Sequence, residues 1–305
     1  MMKRIAIRYA FLMLLGVALF GWALSAGAEA SDAGNAARPA AAEHSQYVGS
    51  DTCKSCHEDL FQQFMTTPHG HAGRAHNPSG AEGCESCHGP GKAHVEGGGD
   101  VSKIFTFKDA SPAQVSERCD GCHRDNHDHQ HFARSSHFSN GVSCIGCHSP
   151  HHAKQREALL TEKQPELCYS CHETTRDEFE QPFHHRVNEG LVKCADCHNV
   201  HGGNVAHQLR TSSVQDSACF KCHAEKRGPF VFEHPPVKTE GCTSCHTPHG
   251  STVPRLLNVA QVNALCLQCH TDIIAGPHPQ NTRAQACTYC HTQIHGSNAS
   301  SVFFK

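Results

Sequence analysis

Hydrophobic residues are concentrated near the start of the chain and scattered elsewhere. Three basic residues in the first eight positions precede an apolar run from about Tyr9 to Leu24, and Ala28-Glu29-Ala30 follows it. A basic start, an apolar stretch and a small-residue exit predict a secretory signal peptide over residues 1–30. The alternative is an uncleaved membrane anchor, which the short span and the small-residue exit disfavour. No other stretch of the sequence is long or apolar enough to cross a membrane.

The rest of the chain predicts short helices joined by irregular segments. In some segments a Ser or Thr that can cap a helix precedes one or two turns, and Pro112 stands at a tolerated first-turn position. Other segments are irregular and contain Gly141, Gly190 or Gly241, and the alanine-rich residues 31–46 predict a disordered leader. We therefore predict short α-helices and loops with almost no β-sheet. We expect such helices over residues 111–118, 161–167 and 213–218, and we call these three segments helical leads because each leads into a Cys-containing motif.

Cysteine and histidine form the strongest pattern in the sequence. Cys-x-x-Cys-His occurs ten times and uses all 20 cysteines, and the copies are numbered here as motifs 1 to 10 in chain order. The motifs are Cys53, Cys56 and His57; Cys84, Cys87 and His88; Cys119, Cys122 and His123; Cys144, Cys147 and His148; Cys168, Cys171 and His172; Cys194, Cys197 and His198; Cys219, Cys222 and His223; Cys242, Cys245 and His246; Cys266, Cys269 and His270; Cys287, Cys290 and His291.

This pattern is the attachment site of a c-type haem. The two thiols form thioethers with the haem vinyl groups, and the adjoining histidine ligates the iron from the proximal side. Zinc sites built from two Cys-x-x-Cys pairs, or a disulfide framework in a secreted protein, are the alternatives. Neither explains a histidine after every second cysteine, since histidine makes up only 29 of 305 residues. The sequence therefore predicts ten covalently bound c-type haems.

The motifs are arranged as a repeat of two. The first cysteines of motifs 3, 5, 7 and 9 lie 49, 51 and 47 residues apart, and a period near 50 indicates units that each lean on their neighbours. We expect one cytochrome domain over residues 47–305, made of five two-haem units at about 47–110, 111–160, 161–210, 211–258 and 259–305. The first unit is the least regular, because a glycine-rich insertion follows motif 2.

The remaining histidines supply a second ligand for every haem. One histidine precedes each even-numbered motif and another follows it, which gives ten, so we predict bis-histidine ligation throughout. The preceding set is His69 (or His76), His137, His185 (or His184), His234 and His278. The following set is His94, His151, His201, His249 and His295. A cluster of His127, His129 and His131 lies outside this pattern and is expected in a solvated loop.

Charge and composition argue against two classes of function, nucleic-acid binding and catalysis. Loss of three basic residues and Glu29 with the signal peptide changes the formal net charge from −3 to −5, and haem propionates make the holoprotein more acidic. An acidic protein without a basic stripe is not expected to bind nucleic acid. About 27 residues per haem cannot enclose a conventional core, so the porphyrins must supply buried apolar surface. Saturated bis-histidine haems leave no open position for a substrate, which favours electron transfer over catalysis.

Three segments carry a resemblance to a known family. Residues 83–91, 183–190 and 242–250, together with ten motifs in about 300 residues, resemble the MtrA/DmsE-type periplasmic decahaem cytochromes over the whole mature chain. The resemblance implies an elongated haem wire in the periplasm, associated with the outer membrane and entering an outer-membrane β-barrel porin. It implies electron exchange between periplasmic or inner-membrane cytochromes and an outer-surface multihaem cytochrome or reductase. Extracellular or anaerobic respiration, with a metal or a sulfoxide-type compound as partner, is the expected context.

Two other functions are compatible with the sequence. The protein could be a soluble periplasmic electron donor to a multihaem reductase such as nitrite reductase, which would need no barrel. It could also be a reductase itself, but that function requires a five-coordinate haem, and the histidine count argues against one.

Overall fold

The computed structural model describes residues 46–71, 82–126, 128–211, 217–275, 278 and 285–304. The predicted signal peptide over residues 1–30 and the leader over 31–46, except its last residue, lie outside these ranges, as do His76 and His127. Within the described ranges, no helix combines the length and apolar character that a membrane crossing requires.

The described residues form short helices and two very short strands. The α-helices are α1 (Ser50–Lys54), α2 (Glu58–Met65), α3 (Pro68–His71), α4 (Glu85–His88), α5 (Lys92–Glu96), α6 (Pro112–His123), α7 (Ser136–Ser139), α8 (Glu166–Tyr169), α9 (Glu173–Phe179), α10 (Cys194–Cys197), α11 (Pro235–Thr239) and α12 (Val262–Cys266). Single 3₁₀ turns lie at Val101–Lys103, Phe132–Arg134, Cys144–Gly146, Glu157–Leu159, Ala206–Gln208, Ala218–Lys221, Ala224–Lys226, Cys242–Ser244, Pro254–Leu256, Thr271–Ala275 and Cys287–Tyr289. The strands are β1 (Phe232–Glu233) and β2 (Gly296–Ser297).

Helix α6 confirms the first predicted helical lead and shows why it forms. The Ser111 hydroxyl accepts a hydrogen bond from the Gln114 N–H at 3.3 Å, and the Gln114 side chain accepts one from the Ser111 N–H at 2.9 Å. This reciprocal capping box, with Pro112 in the first turn, starts a helix that continues through motif 3.

The lead predicted over 161–167 is largely wrong. Helix α8 begins only at Glu166, because the position before Pro165 is disfavoured in a helical conformation and proline itself has no N–H to donate. Most of the third predicted lead, residues 213–216 of 213–218, lies outside the described residues.

The little sheet that exists joins distant parts of the chain. Strands β1 and β2 pair antiparallel with Phe232 opposite Ser297 and Glu233 opposite Gly296. An isolated bridge between Phe183 and Ser251 uses two backbone hydrogen bonds of 3.1 and 2.8 Å. The predicted fold class of short helices and loops with almost no sheet is confirmed.

The apolar core is small, as the composition predicts. The buried apolar cluster of the described residues is Tyr169, Phe179 and Val187, which pack together beside motifs 5 and 6. A protein of this size normally buries far more apolar surface. The polypeptide therefore supplies only part of the buried surface that a stable fold needs.

A buried carboxylate organises the first two motifs. Glu85 is only 4% exposed, and it accepts hydrogen bonds from the N–H groups of Val48, Gly49 and Gly91 at 2.8–3.0 Å. Hydrogen bonds to an ionised group are stronger than neutral ones, and three of them offset the cost of burying the charge. Glu85 thus ties the beginning of the described chain to motif 2.

Candidate functional site

Each Cys-x-x-Cys-His motif folds as one turn. In the nine motifs outside α6, the histidine N–H donates to the carbonyl of the first cysteine at 2.9–3.0 Å. All 20 cysteines lie in the described residues, and none of them is joined to another in a disulfide. A turn of this kind leaves both thiols and the adjacent imidazole available to one planar group, as thioether attachment requires.

The motifs contact one another in pairs. The first cysteines of motifs 1 and 2, 3 and 4, 5 and 6, 7 and 8, and 9 and 10 share thiol hydrogen bonds. In motifs 7 and 8 the hydrogen bond from Cys242 lowers the pKa of Cys219, because it stabilises the thiolate. The paired motifs are therefore direct spatial neighbours.

Successive pairs also lie close together. Burial raises the pKa of Cys87, and the nearby thiol of Cys122 in motif 3 adds to this effect. Burial raises the pKa of Cys147 in the same way, with a contribution from Cys171 in motif 5. Comparable contacts join motif 6 to motif 7 and motif 8 to motif 9. The ten motifs consequently follow one another in space in the order of the sequence.

The predicted ligand histidines face each other in ten pairs. In every pair one imidazole belongs to a motif, the other is one of the ten additional histidines, and the ring centroids are 5.9–6.4 Å apart. The pairs, in motif order, are His57 with His94, His88 with His151, His123 with His69, His148 with His201, His172 with His137, His198 with His249, His223 with His185, His246 with His295, His270 with His234, and His291 with His278.

The separation within these pairs suits a haem iron. Imidazole nitrogen binds zinc at about 2.0–2.1 Å, so two rings that bind one iron from opposite sides at a similar distance have centroids roughly 6 Å apart. Burial lowers the pKa of His151 and His198, and lowers that of His201 and His295 to about 4. A lowered pKa keeps the imidazole neutral, which is the form that binds metal. The donor set therefore fits a bis-histidine haem.

The pairing crosses the boundaries of the sequence repeat. Motifs 2, 4, 6 and 8 face a histidine from the following unit, such as His201 opposite His148. Motifs 3, 5, 7 and 9 face a histidine from the preceding unit, such as His137 opposite His172. Only the first and last motifs face a histidine of their own unit, His94 and His278. The sequence did not determine this assignment.

Backbone carbonyls orient the motif histidines. The Nδ1–H groups of His148, His198 and His246 donate to the carbonyls of Ala158, His207 and Arg255 at 2.5–2.9 Å. Because a carbonyl only accepts, the proton must sit on Nδ1 and Nε2 is free to bind metal.

The residues that supply these carbonyls have an unusual backbone. Ala158, His207 and Arg255 have φ angles of 55°, 56° and 63°, in the left-handed region that non-glycine residues seldom adopt. Each such residue costs about 1–3 kcal/mol. The same strained turn recurs after three even-numbered motifs, where it aims the carbonyl at the imidazole. In each case a leucine two residues later, Leu160, Leu209 or Leu257, pairs its backbone with that of the motif histidine, and this leucine is a sequence feature that the three segments share.

Hydrogen bonds also link the non-motif histidines across unit boundaries. The Nδ1–H groups of His137 and His185 donate to the carbonyls of Val200 and Pro248 at 3.0 and 2.6 Å. Val200 directly precedes His201, and Pro248 directly precedes His249. Each of these hydrogen bonds therefore ties together two histidines that face neighbouring motifs.

Close packing explains the glycine that follows several of these histidines. A Cβ atom at Gly250 would lie 1.8 Å from the Glu178 carbonyl oxygen, and one at Gly202 would lie 2.6 Å from that of His131. Only glycine permits this approach of two backbones. His151 is followed by His152 instead, so the same approach does not occur at that boundary.

Three of the non-motif histidines each pack against a phenylalanine side chain that belongs to the preceding unit. The ring of Phe64 packs edge-on against His151, that of Phe132 against His201, and that of Phe179 against His249, with centroids 5.1–6.3 Å apart. These three residues stand five positions before His69, His137 and His184, so a regular spacing in the sequence marks these phenylalanines as equivalent members of the repeat.

The structure separates the alternative histidines. His185 faces His223 at 6.3 Å. Both ring nitrogens of His184 instead lie within hydrogen-bond distance of acceptors, Nδ1 of the Gln181 carbonyl at 2.6 Å and Nε2 of the Glu189 carboxylate at 3.2 Å. His69 faces His123 at 5.9 Å, and its alternative, His76, lies outside the described residues.

One histidine of the expected solvated cluster is placed differently. The ring of His129 is half-buried, with its centroid 4.4 Å from His201 and 5.7 Å from His123. It therefore packs between the histidine pairs of motifs 3 and 4. Nothing in the sequence repeat indicated this position, because His129 has no counterpart in the other units.

Comparison with known proteins agrees with this geometry. A family model described as a doubled CXXCH motif matches residues 136–177, 184–228 and 234–275. The multihaem cytochrome MtrA of Shewanella baltica is 34% identical over 278 residues, which cover 83% of this chain and 80% of that protein.

Two longer proteins of Geobacter sulfurreducens are also similar. The C-type polyhaem cytochromes OmcC and OmcB are 27% and 30% identical over 66% and 72% of this chain, which spans only 26% and 28% of their lengths. Identity to MtrA over most of both proteins, and the repeated motifs, show that the chain belongs to the MtrA family of multihaem c-type cytochromes, electron-transfer proteins with several covalently bound haems.

Proposed function

We propose that every motif carries one c-type haem, ten in all, and that each iron is held between the two imidazoles of a facing pair. The ring separations of 5.9–6.4 Å in ten independent pairs carry this proposal. Bound haem supplies one-electron chemistry. The protein's own side chains attach the porphyrin, hold the imidazoles neutral and fix their orientation through Nδ1–H donation.

The two imidazoles of each pair would hold the iron and would leave no position on it for a substrate, so the bound haems would serve as electron carriers. The order of the motifs in space makes one continuous series from motif 1 to motif 10. Electron tunnelling needs closely spaced carriers, and the contacts between successive motifs supply that spacing. The five two-haem units proposed from the sequence are successive sections of this series, joined by shared histidines.

The proposed location is the periplasm, in association with the outer membrane. The predicted signal peptide supports export, and the similarity to MtrA supports a role in which the protein enters an outer-membrane β-barrel. There it would carry electrons between periplasmic or inner-membrane cytochromes and an outer-surface multihaem cytochrome or reductase. A fixed series of ten haems suits a span across an insulating layer, because a carrier that diffuses needs far fewer.

Haem content and ligation test the first part of the proposal. The mass of the denatured protein should exceed that of the polypeptide by ten haems, and the ferric protein should be entirely low-spin. A count of eight or fewer haems, or ready binding of carbon monoxide at neutral pH, would refute ten bis-histidine sites.

Reconstitution tests the second part. Vesicles that contain the protein in complex with a co-purified barrel should transfer electrons between an external reductant and an enclosed dye, whereas the barrel alone should not. Transfer by the barrel alone would refute the conduit. A protein that never associates with a barrel, yet reduces a multihaem reductase in solution, would identify a soluble donor instead.

A further inference from the structure

One of the facing histidines has a carboxylate as its partner. The Nδ1–H of His249 donates to Glu178 Oε2 at 2.7 Å. The motif histidine on the other side of this pair, His198, donates to a backbone carbonyl at 2.8 Å, as do most of the oriented histidines described above. The pair of motif 6 thus has a negatively charged acceptor next to one of its imidazoles.

The position of Glu178 is fixed by its backbone. Glu178 lies near the end of α9, and its carbonyl oxygen packs against Gly250, next to His249. The neighbouring ring of Phe179 is buried and lies 5.1 Å from the His249 ring. These contacts hold the carboxylate beside His249 although the side chains of both residues are partly exposed, at 54% and 36%.

Another unit carries a different side chain at this place. The carbonyl group of His131 packs against Gly202 as that of Glu178 packs against Gly250. An imidazole and a carboxylate therefore occupy equivalent positions in two units. Since both contacts are made by the backbone, the side chain at this position can differ between these units without loss of the contact.

The pair of motif 4 has no such acceptor. The Nδ1 atom of His201 is buried with no hydrogen-bond partner among the described residues. The non-motif imidazoles that face motifs 4 and 6 thus differ in hydrogen bonding, and only His249 donates to a carboxylate.

We propose that Glu178 sets the reduction potential of the haem at motif 6 below that of the haem at motif 4. The inference rests on the haem sites proposed above. A carboxylate that accepts the Nδ1 proton makes the imidazole a stronger electron donor, and a stronger donor stabilises ferric over ferrous iron. The added negative charge acts in the same direction, because reduction removes one positive charge from the iron. The potentials of these two haems therefore differ, and that of motif 6 is the lower.

The variant E178Q tests this assignment, because glutamine has nearly the same size and shape as glutamate. Glutamine keeps an oxygen that can accept the Nδ1 proton but removes the charge. In a spectroelectrochemical titration at fixed pH and low ionic strength, one single-electron component should move to a higher potential in E178Q. The other components should stay within error. Since both side chains are partly exposed, the shift should decrease as salt is added.

The matched control is E180Q, which removes the same charge from an exposed residue two positions further along. It should leave the titration unchanged. An equal shift in E180Q would show that total charge, and not Glu178, is responsible. No shift in E178Q would also overturn the proposal.

A double variant assigns the effect to the hydrogen bond. Methionine has no Nδ1–H, so E178Q should shift the potential less in an H249M background than in the wild type. Equal shifts in the two backgrounds would overturn the role of the hydrogen bond. Ten haems and a low-spin spectrum in all variants would leave the proposed function intact whatever the potentials do, whereas missing haems or high-spin iron would contradict the haem sites themselves.

Discussion

Replacing Gly202 with alanine should destabilise the junction between two haem units. The φ angle of Gly202 is 106°, which is strained for any residue with a Cβ, and a Cβ atom there would lie 2.6 Å from the His131 carbonyl oxygen. Real Cβ contacts are essentially never shorter than 3.0 Å, so one of the two backbones must move.

The cost follows from two separate effects. An unfavourable backbone conformation costs about 1–3 kcal/mol, and overpacking a tight contact adds about 1–3 kcal/mol. The sum for Gly202→Ala is about 2–6 kcal/mol if the loop stays in place. If the loop moves instead, His201 moves with it, because it is the adjacent residue and faces His148 at 5.9 Å.

Gly203 provides a control in the same loop. A Cβ atom at Gly203 would lie no closer than 3.6 Å to any atom, which is ordinary van der Waals contact, and its φ angle is outside the left-handed region. Gly203→Ala should change the free energy of unfolding by less than about 0.5 kcal/mol, or stabilise slightly through the unfolded chain.

Guanidinium unfolding of the two haem-loaded variants, at equal haem content, measures the difference. A second measurement is carbon monoxide binding to the reduced protein, since displacement of His201 would open one coordination position in Gly202→Ala only. Equal stability of the two variants, together with equal carbon monoxide binding, would refute the argument that close backbone contact holds the unit junction together.

Three further predictions follow from other parts of the molecule. Glu85→Gln should destabilise the protein by about 2–4 kcal/mol, because a neutral amide replaces a carboxylate that accepts hydrogen bonds from three N–H groups. The segment before motif 1 should then become sensitive to proteolysis, and unchanged proteolysis would contradict the prediction. His249→Met should preserve six-coordination while raising one reduction potential, so an unaltered redox titration would mean that His249 is not a ligand. Burial lowers the pKa of His201 and His295 to about 4. Between about pH 6.5 and pH 4 the unfolded chain therefore binds protons that the folded chain does not, and the free energy of unfolding should fall as the pH falls through this window. Equal guanidinium midpoints at pH 7 and pH 5 would contradict this prediction.

The chemistry of this protein could be predicted from the sequence because it depends on local spacing. A Cys-x-x-Cys-His turn forms within five residues, and the capping box at Ser111 likewise depends on residues three apart. The fold class followed from the same local signals, together with the shortage of apolar residues. By contrast, the lead before motif 5 was wrong, since the effect of Pro165 on its neighbours outweighed the helical signals before it.

The assignment of histidines to motifs could not be predicted, because it depends on contacts between units. Counting gave ten additional histidines, but a count contains no information on which imidazole faces which motif. The same holds for Glu178 and His129, whose roles arise from loops of different units that pack together. Such contacts leave no periodic trace in a single sequence when each unit carries a different side chain at the position.

The crossed pairing has a consequence for the whole architecture. An inner unit supplies one histidine to the unit before it and one to the unit after it, so its own haems depend on both neighbours. Removing one inner unit would therefore take away a ligand on either side as well as two haems. Motifs 1 and 10 differ from the other motifs, because the histidines that face them, His94 and His278, belong to their own units. The two terminal units thus act as caps in the sense used for other repeat proteins, with ligands in place of a polar face. This arrangement accounts for the irregular spacing of the first unit, whose insertion carries His94.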